Sequence, residues 1–455
     1  MLPFWKPLSS RINRDDTQAS SKKKPRVNDD ESDDDSSSQD SFFNDRLMHF
    51  GNREGHVAAV LRSDDQQQHL ICFGGWVEAD GSDEVLAMDV SNLSESPQWK
   101  VIAKSHIALR ANATLTPFST PSSSSVAILF GGLDVGDSYD CTNDVYIVSL
   151  KNGKSTELQF TRVEIEGHDG GDDDDDDSHV PCPRQRHCAC LIGESTAHPQ
   201  LIIFGGEDDN SELLNDFWSL DLSSVFASDK KKPKWTRLQL PESALSCLAP
   251  RAAARLFSIV DASTNEEFIA LAGGLIFVTS DVAQVSLNEM HLFRKKSLAG
   301  NELDLVSCKM NFFENGVNCL LAAPLSSHRV LLFGGKDFAK GNDDLIIVSI
   351  LNRQRDGDTE DDKESVSIPS LEQVAVIKCP FKEAVKEDLN DEALSHLDRT
   401  SMKTEGAAEN CWPHWRYAAA VAYWKDGASV CVACVGGTCR HVDPNNEVVV
   451  TKFNA

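Results

Sequence analysis

The chain has 455 residues and a formal net charge of −27, so neither nucleic-acid phosphate nor an anionic membrane is its default partner. It holds no apolar run of about 18 residues or more, and its opening stretch MLPFWKPLSSRINRDD lacks the apolar core of a secretory signal. The 13 cysteines follow no regular framework, which predicts reduced thiols in a cytoplasmic or nuclear compartment.

In chain order, residues 3–8 contain Phe4-Trp5-Lys6-Pro7-Leu8, a strand-like run ahead of a polar tract. Residues 9–48 are rich in Ser, Asp and Lys, a composition that predicts disorder. Within them Ser21-Lys22-Lys23-Lys24-Pro25-Arg26-Val27 looks like a nuclear localisation signal. Ser32, followed by Asp33, Asp34 and Asp35, resembles an acid-directed kinase site.

From residue 49 a unit of four strand-like runs repeats. The first unit reads GHVAAVL, HLICFGG, EVLAMDV and QWKVIA. The second reads RANATLTPF, VAILFGG, NDVYIVSL and QFTRVEIE. A polar insert at about 164–183, with Asp172 to Asp177, separates it from the third: RHCACLI, QLIIFGG, NDFWSLDL and KWTRLQL. The fourth reads RLFSIV, FIALAGG, NEMHLF and LDLVSCKM. The fifth reads VNCLLAA, RVLLFGG, NDDLIIVSI and EQVAVIK, with inserts at about 351–366 and 381–412. The sixth reads RYAAAVAY, VCVACVGG and NEVVVTKF, and has no fourth run.

Each second run ends in a glycine pair: Gly74-Gly75, Gly131-Gly132, Gly205-Gly206, Gly273-Gly274, Gly334-Gly335 and Gly436-Gly437. Such pairs fit a sharp turn or a close backbone approach. The first runs carry small residues, as the crowded centre of a radial array demands. Asn-Asp or Asn-Glu opens five of the six third runs, consistent with Asx-turn chemistry at the start of a strand.

A hydrophobic strand, Gly-Gly, a polar loop, an aromatic and then a Trp is similar to the kelch repeat. The resemblance covers about residues 49–455. It is partial at the aromatic of the third strand, present as Tyr146 with Trp218 in the equivalent place, and at the outer Trp, clear as Trp99 and Trp235. It implies an all-β, six-bladed β-propeller of the galactose oxidase/kelch type. Residues 3–8, which resemble Gln98-Trp99-Lys100-Val101-Ile102, are expected to supply the missing outer strand of the last blade. Closing the ring this way removes an exposed edge.

Arginine recurs before the first strand: Arg53, Arg110, Arg184 with Arg186, Arg251 with Arg255, and Arg416. The fifth unit has Asn318 nearby instead. Two roles stay open. Arg53, Arg110, Arg186, Arg255 and Arg416 are the candidate binding residues of a basic ring at the channel mouth, suited to an acidic or phosphorylated peptide. Alternatively, each arginine pairs with a nearby acid or carbonyl and locks adjacent blades. Strand alternation places 9–48, 164–183 and 381–412 on the face of that ring, where the acidic segments could compete with an acidic partner, and 351–366 on the other.

No metal and no cofactor are expected. Cys431 and Cys434, although C-x-x-C, lie three apart in a strand and point to opposite faces; Cys188 and Cys190 share a face as small hydrophobes. Copper chemistry of the galactose oxidase group depends on Tyr and His ligands, and this chain has only Tyr139, Tyr146, Tyr417 and Tyr423. The expected function is therefore a non-enzymatic protein-interaction scaffold or substrate-recognition module. Proteins of this kind often work with a BTB or F-box segment. The short polar tail leaves no room for a BTB domain, so a ubiquitin-ligase subunit would be supplied in trans. The alternative is a small-ligand-binding or metal-dependent enzyme using the channel, which two His and a carboxylate converging at the mouth would favour.

Overall fold

The computed structural model describes residues 6–8, 12–13, 53–77, 80–93, 97–119, 125–136, 138–151, 157–167, 179–225, 231–277, 284–337, 341–342, 344–354, 367–377, 419–437 and 448–454. The expected basic cluster at 21–27, the acidic segments at 33–35 and 172–177, the insert at 381–412, most of that at 351–366, and Arg416 lie outside the described residues.

The described chain is all-β and propeller-like. Its principal sheets are antiparallel meanders in which chain order is sheet order. The first comprises Val57–Arg62, Gln68–Phe73, Glu84–Asp89 and Trp99–Lys104, and the second Thr114–Ser119, Ser125–Phe130, Val145–Leu150 and Leu158–Arg162. The third comprises Cys188–Ile192, Gln200–Phe204, Phe217–Asp221 and Trp235–Leu238, and the fourth Arg255–Val260, Glu267–Ala272, Glu289–Lys295 and Leu303–Met310. The fifth comprises Leu321–Ser326, Arg329–Phe333, Leu345–Gln354 and Ser367–Ile377. The sixth comprises Ala420–Asp426, Ser429–Val435 and Val448–Asn454.

Lys6–Leu8 pairs antiparallel with the last of these strands, Lys6 opposite Val450 and Leu8 opposite Val448. A second short segment, Ile12–Asn13, runs parallel to Trp99 and Lys100 on the outer edge of the first sheet.

The second strand of each sheet opens on a polar residue and is then mostly apolar, because both of its faces are covered. Alternation then divides its residues between two neighbours. In the first sheet, Leu70 and Cys72 pack in a cluster shared with the sixth sheet, while Ile71 and Phe73 pack in a cluster shared with the second. In the third sheet, Leu201 and Ile203 meet the second sheet, and Ile202 and Phe204 meet the fourth. The remaining clusters lie between the fourth and fifth and between the fifth and sixth sheets. The core is thus distributed between sheets rather than gathered in one centre. Each fully buried Leu, Ile or Phe contributes about 1.5–3 kcal/mol. Cys431 and Cys434 obey the same alternation: Cys431 packs toward the first sheet and Cys434 toward the fifth. Trp99 and Trp235, on outer strands, are fully enclosed.

The first strand of each sheet touches the first strand of the next, from the first sheet through to the sixth and from the sixth back to the first. These strands carry the small residues Ala58, Ala59, Ala189, Ala322, Ala323, Ala420 and Ala422. Little side-chain volume is needed where these first strands converge.

Candidate binding site at the channel mouth

In the first five sheets the chain leading into the first strand pairs with the loop that follows that sheet's glycine pair. Arg53–Glu54 pairs with Trp76–Val77, and Arg110–Ala111 with Leu133–Asp134. Single bridges join Gln185 to Glu207, Ala252 to Leu275 and Asn318 to Lys336. These two sets of loops therefore share one face and surround the axis.

The glycine pairs are placed by contacts between sheets. The second glycine donates its N–H to a carbonyl in the lead-in of the next sheet: Gly75 to Arg110 at 2.8 Å, Gly132 to Arg184 at 2.9 Å, Gly206 to Arg251 at 2.9 Å, and Gly274 to Val317 at 2.8 Å. Gly437 donates to Arg53 at 3.1 Å, linking the sixth sheet to the first. The first glycine lies against the same carbonyl. A Cβ on Gly205 would stand 2.6 Å from the Arg251 oxygen, and one on Gly273 only 2.2 Å from the Val317 oxygen. The close approach, together with a positive φ, excludes any side chain there.

The arginine side chains turn back into their own sheets. Arg53 Nη1 donates to the Gly74 carbonyl at 2.7 Å, Arg110 to Gly131 at 3.3 Å, Arg184 to Gly205 at 3.1 Å, and Arg251 to Gly273 at 3.2 Å. Three also meet a carboxylate placed just before or at the start of the third strand. Arg110 reaches Asp144 at 3.2 Å, Arg251 reaches Glu289 at 2.6 Å, and Arg184 grips both oxygens of Asp216 at 2.7 and 2.9 Å. An aromatic two residues after each acid completes the set. Tyr146 lies under the Arg110 guanidinium at 5.1 Å, Trp218 Nε1 donates to Asp216 at 2.6 Å, and His291 Nε2 sits 2.8 Å from Glu289. Burial pushes the Asp216 carboxyl up, but the Arg184 hydrogen bonds and charge outweigh it and hold the group below its ordinary range.

Of the five candidate binding residues, Arg53 and Arg110 are thus buried in latches. Arg184 and Arg251, rather than Arg186 and Arg255, are their counterparts in the third and fourth repeats. Arg186 stands on the mouth with its side chain one-third exposed, 3.4 Å from Glu207. Arg255 begins the innermost strand of the fourth sheet and reaches the Ala322 carbonyl of the fifth at 3.4 Å. Arg416 lies outside the described residues, at a similar spacing before its own glycine pair.

Sequence reasoning did not find a second circuit. Gly55, Asn112, Arg186, Ala253 and Cys319 occupy equivalent places and all take a left-handed conformation, with φ of 65, 55, 52, 52 and 53°. They are chained by backbone hydrogen bonds: Asn112 N–H to Gly55 carbonyl at 2.7 Å, Arg186 to Asn112 at 3.0 Å, Ala253 to Arg186 at 2.8 Å, and Cys319 to Ala253 at 2.8 Å. The signal was present in spacing. Each of these residues follows a latch position by two, and the latch arginine precedes its glycine by 21 or 22 residues.

Two histidines follow this circuit into the core. His56 Nε2 donates to the Val435 carbonyl of the sixth sheet at 3.0 Å, and His187 Nε2 lies 2.9 Å from Thr114 Oγ1 of the second. Burial first, then the charge of Arg53 or Arg184, lowers both imidazoles to about 3, so both are neutral. They serve as neutral hydrogen-bonding groups between sheets.

No protein-family model matches the sequence, and no curated protein matches it. The fold resembles several solved structures. A chain in a cryo-EM structure of RAG in complex with one melted and one unmelted RSS has a TM-score of 0.48 at 13% identity, covering 88% of this chain and 95% of that one. The structure of YjhT has a TM-score of 0.36 at 13% identity, covering 71% and 98%. A fungal alcohol oxidase of the AA5 family, in complex with copper, has a TM-score of 0.43 at 10% identity, covering 89% and 75%.

Proposed function

We propose that the chain is a kelch-type propeller of six blades, closed by its N-terminal strand, that works as a non-enzymatic protein-interaction module. Support for closure comes from three contacts. Lys6–Leu8 extends the sixth sheet, Gly437 donates to the Arg53 carbonyl, and Gln68 Nε2 donates to the Lys425 carbonyl at 3.0 Å.

The observation that carries the functional reading is the convergence of loops. Lead-in loops and post-glycine loops from successive sheets gather on one face, held rigid by the paired extensions and the left-handed circuit. A rigid platform ringed by variable loops is suited to binding a protein segment. Arg186 is the described member of the arginine series that offers its side chain on that face, which favours an acidic or phosphorylated segment. Two described histidines that follow the lead-in loops, His56 and His187, are spent on contacts between sheets, which favours peptide recognition over catalysis in the channel. No described helix is long and apolar enough to cross a membrane.

The test is titration of labelled acidic, phosphoserine-containing, neutral and basic peptides against the native chain and Arg186→Gln. Acidic peptides are expected to bind, to weaken with salt, and to bind less well to the variant. Binding that ignores peptide charge would reject the acidic-segment reading. Charge reversal at Arg110 is unsuitable as a probe, because it breaks a latch.

A further inference from the structure

The outer edges of the sheets are not alike. On the second and third outer strands the exposed residues are polar or charged: Gln159, Thr161 and Arg162, then Thr236 and Arg237. On the first they are Lys100 and Lys104, and Ile12–Asn13 pairs along that edge as a fifth strand. Charged side chains and a covering segment both keep an edge from pairing with another chain. The fifth edge has neither over its last stretch. Ser367–Ile377 ends its sheet with no strand beyond it among the described residues. Gln373, Val374, Ala375 and Val376 are all exposed, Val374 by 44% and Val376 by 39%, and none of the four is charged.

The neighbouring sheet extends this surface and steadies it. The outer strand of the fourth sheet touches Ser367–Ile377 and ends on Met310, which is 61% exposed. Lys309 meets Glu372 at 2.5 Å, and the Gln373 side-chain amide donates to the Phe312 carbonyl. The edge is thus held in place before anything docks. The first and fifth outer strands also share a bulge, at Ile102 and Val374. By that alignment Trp99 and Lys100, which receive Ile12 and Asn13, correspond to Leu371 and Glu372. The first sheet therefore shows that an outer edge of this kind accepts an added strand.

We propose that the fifth edge takes up an extended segment of a partner protein, β-branched in its core and basic at its flanks, as an added outer strand. Main-chain hydrogen bonds supply the affinity, and Val374 and Val376 supply the apolar contact. The chain's own added strand indicates the chemistry: it reads Arg11-Ile12-Asn13-Arg14, a β-branched residue near two arginines. The net charge of −27 draws basic segments to the surface and opposes pairing of this edge with a second copy of the chain. The site lies on an outer strand and does not rest on the peptide reading of the mouth.

The test uses the full chain and a fluorescein-labelled peptide, KTVTVTK, followed by anisotropy. Saturable binding is expected. It should be about tenfold weaker in a variant carrying Val374→Ser and Val376→Ser together, and lost when the core amides of the peptide are N-methylated. The acidic counterpart ETVTVTE should not compete. Both substituted residues are exposed, so the variant should keep the native Tm; if it does not fold, Val376→Lys carries the comparison and should weaken binding in the same direction. No binding to the native chain, equal binding to native and variant chains, binding retained by the N-methylated peptide, or competition by ETVTVTE would each overturn the proposal. Sedimentation that finds the native chain a dimer, and Val376→Lys a monomer, would also overturn it by assigning the edge to a second copy.

Discussion

The third and fifth repeats solve one problem in two ways. In the third, the lead-in residue Arg184 is fully buried, grips Asp216 and the Gly205 carbonyl, and is followed by His187. In the fifth, the same place holds Val317, packed with Phe312, Phe313 and Leu320 in the cluster between the fourth and fifth sheets. Yet the two residues accept the same backbone hydrogen bond from the preceding repeat, Arg184 from Gly132 and Val317 from Gly274. The backbone circuit is the constant, and the side chain that supports it is interchangeable. A buried ion pair offers little net stability over a well-packed apolar group, but it is costly to break by halves.

That comparison can be broken most forcefully at Asp216. Asp216→Asn leaves Arg184 enclosed without its counter-charge and is expected to lower the unfolding free energy by about 3–5 kcal/mol, measured by urea denaturation. The double change Arg184→Met with Asp216→Leu should cost less than Asp216→Asn alone, because it converts the third repeat to the apolar solution of the fifth. Next in size is Gly273→Ala, which forces a Cβ onto the Val317 carbonyl in a left-handed residue; a loss of about 2–4 kcal/mol is expected. Gly427→Ala is the control. Its φ is also positive, but nothing lies within 4 Å, so the loss should be about 1–2 kcal/mol.

Acid sharpens the same contrast. His56 and His187 are held neutral with values of about 3, below the ordinary imidazole near 6.5. Their contribution is complete above about pH 6.5 and is lost as pH falls toward 3, at most roughly 1.4 kcal/mol per pH unit for each. Asp216, held below its ordinary value, adds a further loss below about pH 4. His187→Leu, which copies Leu320 of the fifth repeat, should flatten the fall in Tm between pH 6.5 and 4.

The strands were legible in the sequence. The Gly-Gly runs are strands whose alternation serves two neighbouring clusters, and Lys6–Leu8, part of the run that resembles the Trp99 strand, pairs with Val448–Val450. Less legible was which arginine of each pair forms the latch. Arg184 and Arg186 are two residues apart in sequence, but a left-handed turn at Arg186 sends one inward and one to the mouth. Composition does not reveal that turn, whereas the near-constant spacing to the glycine pair does. The fifth repeat hid its lead-in residue because Val317 carries no charge to mark it, and the polar Asn318 beside it is the more conspicuous in sequence.

The central claim is that the arginines of this repeat divide into latches, which hold a glycine-pair carbonyl, and residues that do not latch. Urea unfolding at neutral pH of Arg184→Met and Arg255→Met, side by side, tests it most directly. Arg184→Met should lose about 3–5 kcal/mol, while Arg255→Met should lose about 1 kcal/mol or less, since Arg255 is half-buried, forms no ion pair among the described residues and makes one long bond, 3.4 Å, to the Ala322 carbonyl. Equal losses in the two variants would contradict the account.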